Sequence, residues 1–455
     1  MNIPENAEKL ISLIESYGFE AYAVGGCVRD HILGRPCDDL DLTSGATPFE
    51  LEKILDENGV RYIETGLKHG TITVLFDGES YEVTTFRQDG EYFDSRHPES
   101  VNFVRDIKYD LSRRDFTINA MAYNNERGVV DLFGGQKDIK DRIIRTVGNA
   151  DKRFNEDALR IMRALRFSSV LGFDIEDETK SSVFRNKDLL KNVSSERLFV
   201  ELNKLLMGDN AFDVLMKYRD VIAVFIPEIK DCFDYPQHSK WHLYDVWEHI
   251  CHTVKNSPKD SVVRLTMLFH DIGKPFCKST DENGQDHFYG HPVVSAELTE
   301  NALKRLKVSN EIFDTVTTLV RYHDIKLRCD RKLLRKWLSK LGYEKLKKLM
   351  TVKRADMLSQ NTDLTNAELP ELDRIENMID EIVKDGDPFL ISDLAVNGFD
   401  IMALGIKGKK IGETLDNLLE LVINEKVENS KESLIKYIKE KAKSIRRDAV
   451  TKDRF

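Results

Sequence analysis

The spacing of apolar residues changes character once along the chain. Ala7 to Tyr17 carries Leu and Ile three and four residues apart, which predicts an amphipathic helix. Ala21-Tyr22-Ala23-Val24 is continuously apolar, and Asp39-Leu40-Asp41-Leu42 alternates acid with leucine. The stretch TITVLFDGESYEVTTFR holds two β-rich runs around Asp77-Gly78, a hairpin signal. After residue 150 strand signals nearly vanish, and Leu and Ile recur at helical spacing with Lys, Arg and Glu between them. The pattern predicts an α+β class: a mixed-sheet head with helices, then a mostly helical remainder. Joints fall at Asp231 to His242, at Asn361 to Pro370 and at Lys384 to Pro388. We therefore expect a head over 1–147, a helical neck over 148–230, a body over 231–365 and a helical tail over 366–455.

Composition narrows the setting. A length of 455 residues suits about three domains. No run of 18 apolar residues exists, and the first residues lack a basic end followed by an apolar core. No membrane partner and no secretory signal are expected. The six cysteines form no CxxC pair, so a reducing cytoplasm is expected, with each thiol a small core residue. A net charge of −10 excludes a wholly basic nucleic-acid binder, but not a local basic face.

Candidate chemistry begins at Val24-Gly25-Gly26-Cys27-Val28-Arg29. Two glycines at a strand-to-helix turn let backbone N–H groups approach a phosphate, and Arg29 lies one helical turn further on. On a strand, Asp39 and Asp41 would share one face about 6–7 Å apart, with Leu40 and Leu42 turned to the core. Paired carboxylates beside a phosphate loop suit Mg²⁺ and two-metal phosphoryl transfer. A third carboxylate is expected on a neighbouring strand, and Glu82 has the right apolar–acid–apolar context. In RRDFTINA, Arg113 and Arg114 could clamp a triphosphate or pair with Asp110 or Asp115. In EDALRIMR, Asp157 and Arg160 would lie on one helix face, either as a plain ion pair or as a carboxylate and a guanidinium able to bond base edges. Arg163 and Arg166 continue the stripe toward nucleotide or primer phosphates.

These blocks, with GGCVRDHILGRPCDDLDLTSGATP and the Ser195-Glu196-Arg197-Leu198 to Glu201-Leu202 segment, resemble the class II tRNA nucleotidyltransferase and bacterial poly(A) polymerase family over essentially the whole chain. The resemblance implies a polymerase-β-like head with Mg²⁺ on Asp39 and Asp41. It also implies a triphosphate held by Gly25, Gly26, Arg29 and Arg114, and base choice by Asp157 and Arg160. The implied substrates are tRNA, CTP and ATP, with no DNA. CC-only, A-only or poly(A) addition is the nearest alternative. The loop from Asp89 to Val104, with Tyr92, Arg96, His97 and Pro98, argues mildly against CC-only addition.

A second constellation lies in the middle of the chain. His249, His270-Asp271 within HDIGK, His291, His323 and Asp356 resemble the ordered ligands of the HD phosphohydrolase superfamily. That resemblance implies a divalent site for Mn²⁺, Ni²⁺ or Fe²⁺, acting on a 2′,3′-cyclic phosphate or a 2′-phosphate. An inert HD fold is the alternative. A rival of another class is an HD phosphohydrolase whose head only binds RNA. Two basic runs could follow an RNA backbone or simply be solvated: Lys326 to Arg354, with twelve basic and two acidic residues, and 431–447.

Overall fold

The computed structural model describes residues 3–37, 40–90 and 101–452, with backbone only at Lys68, Asp89 and 442–452. Contacts divide the chain into two compact units. One is Met1–Lys230 with Ala302–Val308; the other is Asp231–Asn301 with Ser309–Phe455.

The first unit holds a seven-stranded mixed sheet. Its strands are β1 (Ala21–Val24), β2 (Leu42–Ser44), β3 (Arg61–Gly66), β4 (Thr71–Phe76), β5 (Glu79–Thr85), β6 (Met121–Asn124) and β7 (Gly128–Asp131), in the order β3-β4-β5-β2-β1-β6-β7. Only β2 and β5 run parallel; the other pairs are antiparallel. All four residues of β1 are buried, as its uninterrupted apolar run requires, whereas β3 is a largely exposed edge. The expected hairpin joins β4 to β5. Asp77 (φ 47°) and Gly78 (φ 87°) supply the two left-handed residues of a tight turn matched to strand twist. Helix Glu5–Ser16 buries Ala7, Leu10, Ile11 and Ile14, the stripe its spacing predicts. Past the sheet, helix Leu159–Leu171 packs against helix Ser195–Leu206.

In the second unit, helices Val246–Asn256, Ser261–Phe269, Asn310–Tyr322 and Tyr343–Met357 pack together. Toward the C-terminus, Ile401, Leu418, Leu419, Val422 and Leu434 form a separate small core. Among the described residues, no helix is long and apolar enough to cross a membrane.

Several expectations need correction. Asp41 lies one residue before β2, so the short strand carries Leu42 into the core while Leu40 is only half-buried. Asp157 is not on a helix face with Arg160: it is extended (φ −143°) where helix Ala150–Glu156 ends, and the next helix starts at Leu159. Cys27, Cys232 and Cys251 are buried, but Cys37 is exposed and Cys277 and Cys329 are half-buried. The basic run 326–354 is largely neutralised. Arg331 pairs with Asp385 and Asp387, Lys332 with Glu425, Lys345 with Asp314, Lys347 with Asp380, Lys348 with Asp260, and Arg354 with Asp373 and Glu376. Lys353 donates to the His323 and Ile325 carbonyls, and Arg335 to that of Pro388. Six of its twelve cations thus face acids from elsewhere in the second unit. Residues 91–100 of the 89–104 loop, with Tyr92, Arg96, His97 and Pro98, lie outside the described residues; Arg87–Asp89 and Val101–Phe103, on either side of them, pair as a ribbon.

Candidate active sites

In the first unit the chain leaves β1 at Gly25, whose φ of +81° is a left-handed conformation that glycine adopts without strain. Gly25 N–H donates to the Met121 carbonyl at 3.1 Å, and helix Gly26–Ile32 starts at once. A Cβ on Gly25 would sit 3.0 Å from Arg114 Nη1, so the Arg114 guanidinium lies against the turn. Beside it, Leu42 of β2 and Val83 of β5 are parallel partners, both buried. The residues just before them, Asp41 and Glu82, are both exposed. Parallel register thus gives Asp41 and Glu82 neighbouring positions on the two strands, and side chains that alternate along a strand put them opposite the core. Asp39 lies outside the described residues.

The arginines are held by a buried carboxylate scaffold. Asp110 is fully buried, and burial opposes its charge. The Arg113 and Arg114 guanidiniums outweigh that and keep its carboxyl below the usual range. Arg113 reaches Asp110 Oδ1 at 2.7 Å and Arg114 reaches Oδ2 at 3.1 Å. Arg29 grips Asp30 with Nε and Nη2 at 2.9 and 2.7 Å, and its Nη1 donates to Asn119 Oδ1 at 2.7 Å. Asn119 donates onward to Asp115 Oδ1 at 3.2 Å. Asp115 Oδ2 receives Arg163 Nε at 2.7 Å and Nη2 at 2.6 Å. Burial again opposes the charge of Asp115, but Arg163 and Arg160 hold its carboxyl at about 2. Arg163 and Arg166 then converge on buried Glu201 at 4.0 and 2.8 Å.

Asp157 and Arg160 do not pair with each other. Asp157 accepts from Arg197 Nη2 at 2.8 Å, while Arg160 donates to Glu156 at 2.8 Å and to the Arg113 carbonyl at 2.9 Å. These separate anchors fix both groups and leave lone pairs on Asp157 for a ligand. The sequence reading gave no role to Asn119, Arg197 or Glu201. Their signal was present, because all three fall inside the matched blocks.

The second unit gathers its titratable residues at helix ends. His270 and His323 stand one residue past helices Ser261–Phe269 and Asn310–Tyr322, and His291 starts helix His291–Leu306. In each, Nδ1 bonds the carbonyl three residues earlier, of Met267 (2.8 Å), Val320 (2.7 Å) and Phe288 (2.8 Å); His249 Nδ1 meets the Ser359 carbonyl at 3.3 Å. A carbonyl can only accept, so these bonds put a proton on Nδ1, and in the neutral imidazole the Nε2 lone pair is then the one that can face a cation. The Nε2 atoms converge on buried Asp271. His249 and His270 stand 3.3 and 3.1 Å from its Oδ2, and His291 and His323 stand 3.2 and 3.6 Å from its Oδ1. Asp356 Oδ1 is 3.0 Å from His249 Nε2. His291 and His323 face each other Nε2 to Nε2 at 3.1 Å, which is repulsive between two lone pairs unless a cation stands there. His249 Nε2, His270 Nε2 and Asp356 Oδ1 are buried without a hydrogen-bond partner. Lys274 Nζ adds a charge 2.6 Å from Asp271 Oδ2 and is steadied by Gln237 at 2.8 Å. Buried imidazole and carboxylate donors left unsatisfied fit a first-row transition ion, with Asp271 shared between two ligand groups, His249–His270–Asp271 and Asp271–His291–His323. A cleft of about 400 Å³, walled by Trp241, His242, Lys274, Tyr289 and Asp324, opens onto them.

A mixed sheet carrying a glycine turn, paired carboxylates and clustered arginines, followed by helices, defines a nucleotidyltransferase of the poly(A) polymerase type. Residues 21–145 match the "Poly A polymerase head domain", 172–233 the "Probable RNA and SrmB-binding site of polymerase A", and 293–438 tRNA nucleotidyltransferase domain 2. The chain belongs to the CCA-adding enzyme family. It is 32% identical to the CCA-adding enzyme of Staphylococcus saprophyticus over 96% of this chain and 98% of that one. With the CCA-adding enzyme of Geobacillus thermodenitrificans it shares 42% identity over 55% of this chain, a match spanning 63% of that protein. The crystal structure of the Bacillus stearothermophilus CCA-adding enzyme in complex with CTP superposes with a TM-score of 0.74 at 28% identity, covering 98% of this chain and all of the other. The family uses divalent metal ions.

Proposed function

We propose that this protein adds C, C and A to the 3′ end of tRNA from CTP and ATP, without a nucleic-acid template. The 3′-hydroxyl attacks the α-phosphate and pyrophosphate leaves. The observation that supports the reading is that Asp41 and Glu82 stand just before the register partners Leu42 and Val83, that the Asp41 carbonyl accepts from Val24 N–H immediately before the Gly25–Gly26 turn, and that this turn lies against Arg114. Hard carboxylate oxygens fit Mg²⁺, which Asp39, Asp41 and Glu82 would hold. When bound, that ion supplies charge neutralisation on the triphosphate and acidifies the attacking hydroxyl. The chain's own residues do the rest. The turn N–H groups, Arg114 and Arg29 orient the triphosphate, with Arg113 bracing Asp110 behind them. Asp157, held by Arg197, and Arg160, held by Glu156, offer an acceptor and a donor to the base edge. Arg163 and Arg166 lie further along the same helix.

The finer division is a head over 1–147, a neck over 148–230, an HD body over 231–365 and a tail over 366–455, working in a reducing cytoplasm. The test is extension of tRNA lacking its last three nucleotides, resolved base by base, with CTP, ATP or both. A three-nucleotide product needing both supports the reading. A stop after two, A alone on a CC end, or a long A ladder moves the protein to a narrower specificity; no incorporation refutes it.

A specific observation favours a second activity. The unsatisfied His249, His270 and Asp356 atoms suit Mn²⁺, Ni²⁺ or Fe²⁺, and the resemblance to HD phosphohydrolases makes a metal-dependent phosphohydrolase acting on 2′,3′-cyclic or 2′-phosphates the second reading. His270→Ala with Asp271→Ala should remove any such activity and spare nucleotide addition.

A further inference from the structure

Two of the six cysteines flank the glycine turn of the first unit, and the addition chemistry uses neither. Cys27 is the second residue of helix Gly26–Ile32 and is buried, with its thiol on the Val24 carbonyl at 3.4 Å. Cys37 follows that helix and is exposed. The backbone folds one back onto the other. Past the helix, Arg35 N–H donates to the Asp30 carbonyl at 2.8 Å. By Asp41 the chain has reached the start of the turn again, because Val24 N–H donates to the Asp41 carbonyl at 3.0 Å. Cys37 therefore belongs to a connection that begins beside Asp30 and ends beside Val24, and Cys27 lies midway between those two. The side chains agree. The Cys27 thiol has the Cys37 thiol as a hydrogen-bonding neighbour, and the Asp41 carboxylate is near enough for its charge to be felt there.

An exposed thiol with a second thiol against it is the pairing from which a disulfide forms when an oxidant arrives from solvent. Under reducing conditions such a bond is transient and regulatory rather than structural. We infer that Cys27 and Cys37 form a reversible oxidation site whose disulfide switches off nucleotide addition; the effect on activity rests on the nucleotide-adding reading. The oxidant is a hydroperoxide. With hydrogen peroxide, the exposed Cys37 sulfur attacks one peroxide oxygen and the O–O bond breaks. Cys37 is oxidised to the sulfenic acid, and its thiol proton leaves with the other oxygen as water. The Cys27 sulfur then attacks the Cys37 sulfur. The S–S bond forms, the S–O bond breaks, and the hydroxyl leaves with the Cys27 proton as a second water. The two thiols lose two electrons and the peroxide gains them. Bonded sulfurs stand about 2.05 Å apart, roughly 1.5 Å nearer than sulfurs in van der Waals contact. Cys27 is held in a buried helix turn, so Cys37 makes the movement. Cys37 comes four residues before Asp41, and a shift of about 1 Å at a reacting group costs about a hundredfold in rate.

The test treats the full-length enzyme with hydrogen peroxide, removes the excess with catalase, and measures extension of tRNA lacking its last three nucleotides. Trypsin cuts after Arg29, between the two cysteines. A disulfide therefore shows in the mass spectrum as two linked peptides, lighter than the sum of their parts by two hydrogens and separated by dithiothreitol. The expected result is that linked pair in the wild type, with kcat lowered at least tenfold and restored by dithiothreitol. Cys37→Ser changes an exposed side chain, so it should match the untreated wild type within twofold and keep that activity under peroxide. Cys277→Ser combined with Cys329→Ser should respond to peroxide as the wild type does. Absence of the linked pair overturns the site. The linked pair with kcat unchanged overturns the switch, as does an equal loss of activity in Cys37→Ser. If the untreated wild type extends no tRNA, the transferase reading itself has failed, while the peptides still decide whether the two thiols join.

Discussion

Replacing Asp115 by Asn isolates the scaffold beneath the arginines. The wild-type carboxylate receives two N–H groups from Arg163 at 2.6–2.7 Å, one from Asn119 and the Phe116 amide at 2.8 Å. Asparagine keeps an oxygen for one of these but loses the charge, leaving Arg163 with Glu201 at 4.0 Å. Two routes give the magnitude. A carboxyl at about 2, against an ordinary 3.8, is worth about 2.4 kcal/mol at neutral pH. Stranding one partner of a fully buried pair costs about 3–5 kcal/mol, reduced here because a third of the Arg163 side chain is exposed. We expect a loss of about 2–3 kcal/mol. Its pH dependence has a fixed sign. The folded-state value lies below the unfolded one, so the contribution is complete above the unfolded value and disappears as pH falls through the folded one. About half should be gone by pH 3. The assay is urea unfolding followed by circular dichroism, with tryptophan fluorescence in parallel. Trp241, Trp247 and Trp337 all lie in the second unit, so the fluorescence transition should stay in place while part of the dichroism transition moves to lower urea. A shift below about 0.5 kcal/mol, or one as large at pH 3 as at pH 7, would refute the reasoning.

Other outcomes are equally specific. Asp41→Asn should abolish nucleotide incorporation with the dichroism spectrum unchanged, and Glu82→Gln should weaken it by at least tenfold; full activity in Glu82→Gln removes it from the carboxylate set. Gly25→Ala meets both a positive φ and Arg114 Nη1 at 3.0 Å, so kcat/KM for CTP should fall about a hundredfold, checked by steady-state extension. Gly273→Ala would drive a Cβ to 2.5 Å from Ser295 N and 2.8 Å from the His291 carbonyl. It should lower the metal content found by elemental analysis and leave CCA addition intact, since Gly273 belongs to the second unit.

The sequence alone was enough for the local elements and the chemical inventory. The helix at Glu5–Ser16, the Asp77-Gly78 hairpin and the β1-to-helix glycine turn follow from nearest-neighbour rules, because periodicity and positive-φ turns are short-range properties. The histidines and aspartates of the second unit were legible as residue types in order, and the structure brings His249, His270, His291 and His323 around Asp271. Pairing was not legible. Arg113 and Arg114 sit beside two acids in sequence, and only the packed helix shows that they share Asp110 while Asp115 goes to Arg163, 48 residues away. Asp157 and Arg160 fit an i,i+3 pair on paper. Tertiary packing broke the helix between them and gave each another partner. The basic run 326–354 read equally as an RNA track or a solvated face, and nothing in it announced the acids that meet it from Asp260, Asp314 and residues 373–425. Charge partners are chosen by proximity in space, which depends on how distant segments bury their apolar faces. That choice was made by the tertiary structure.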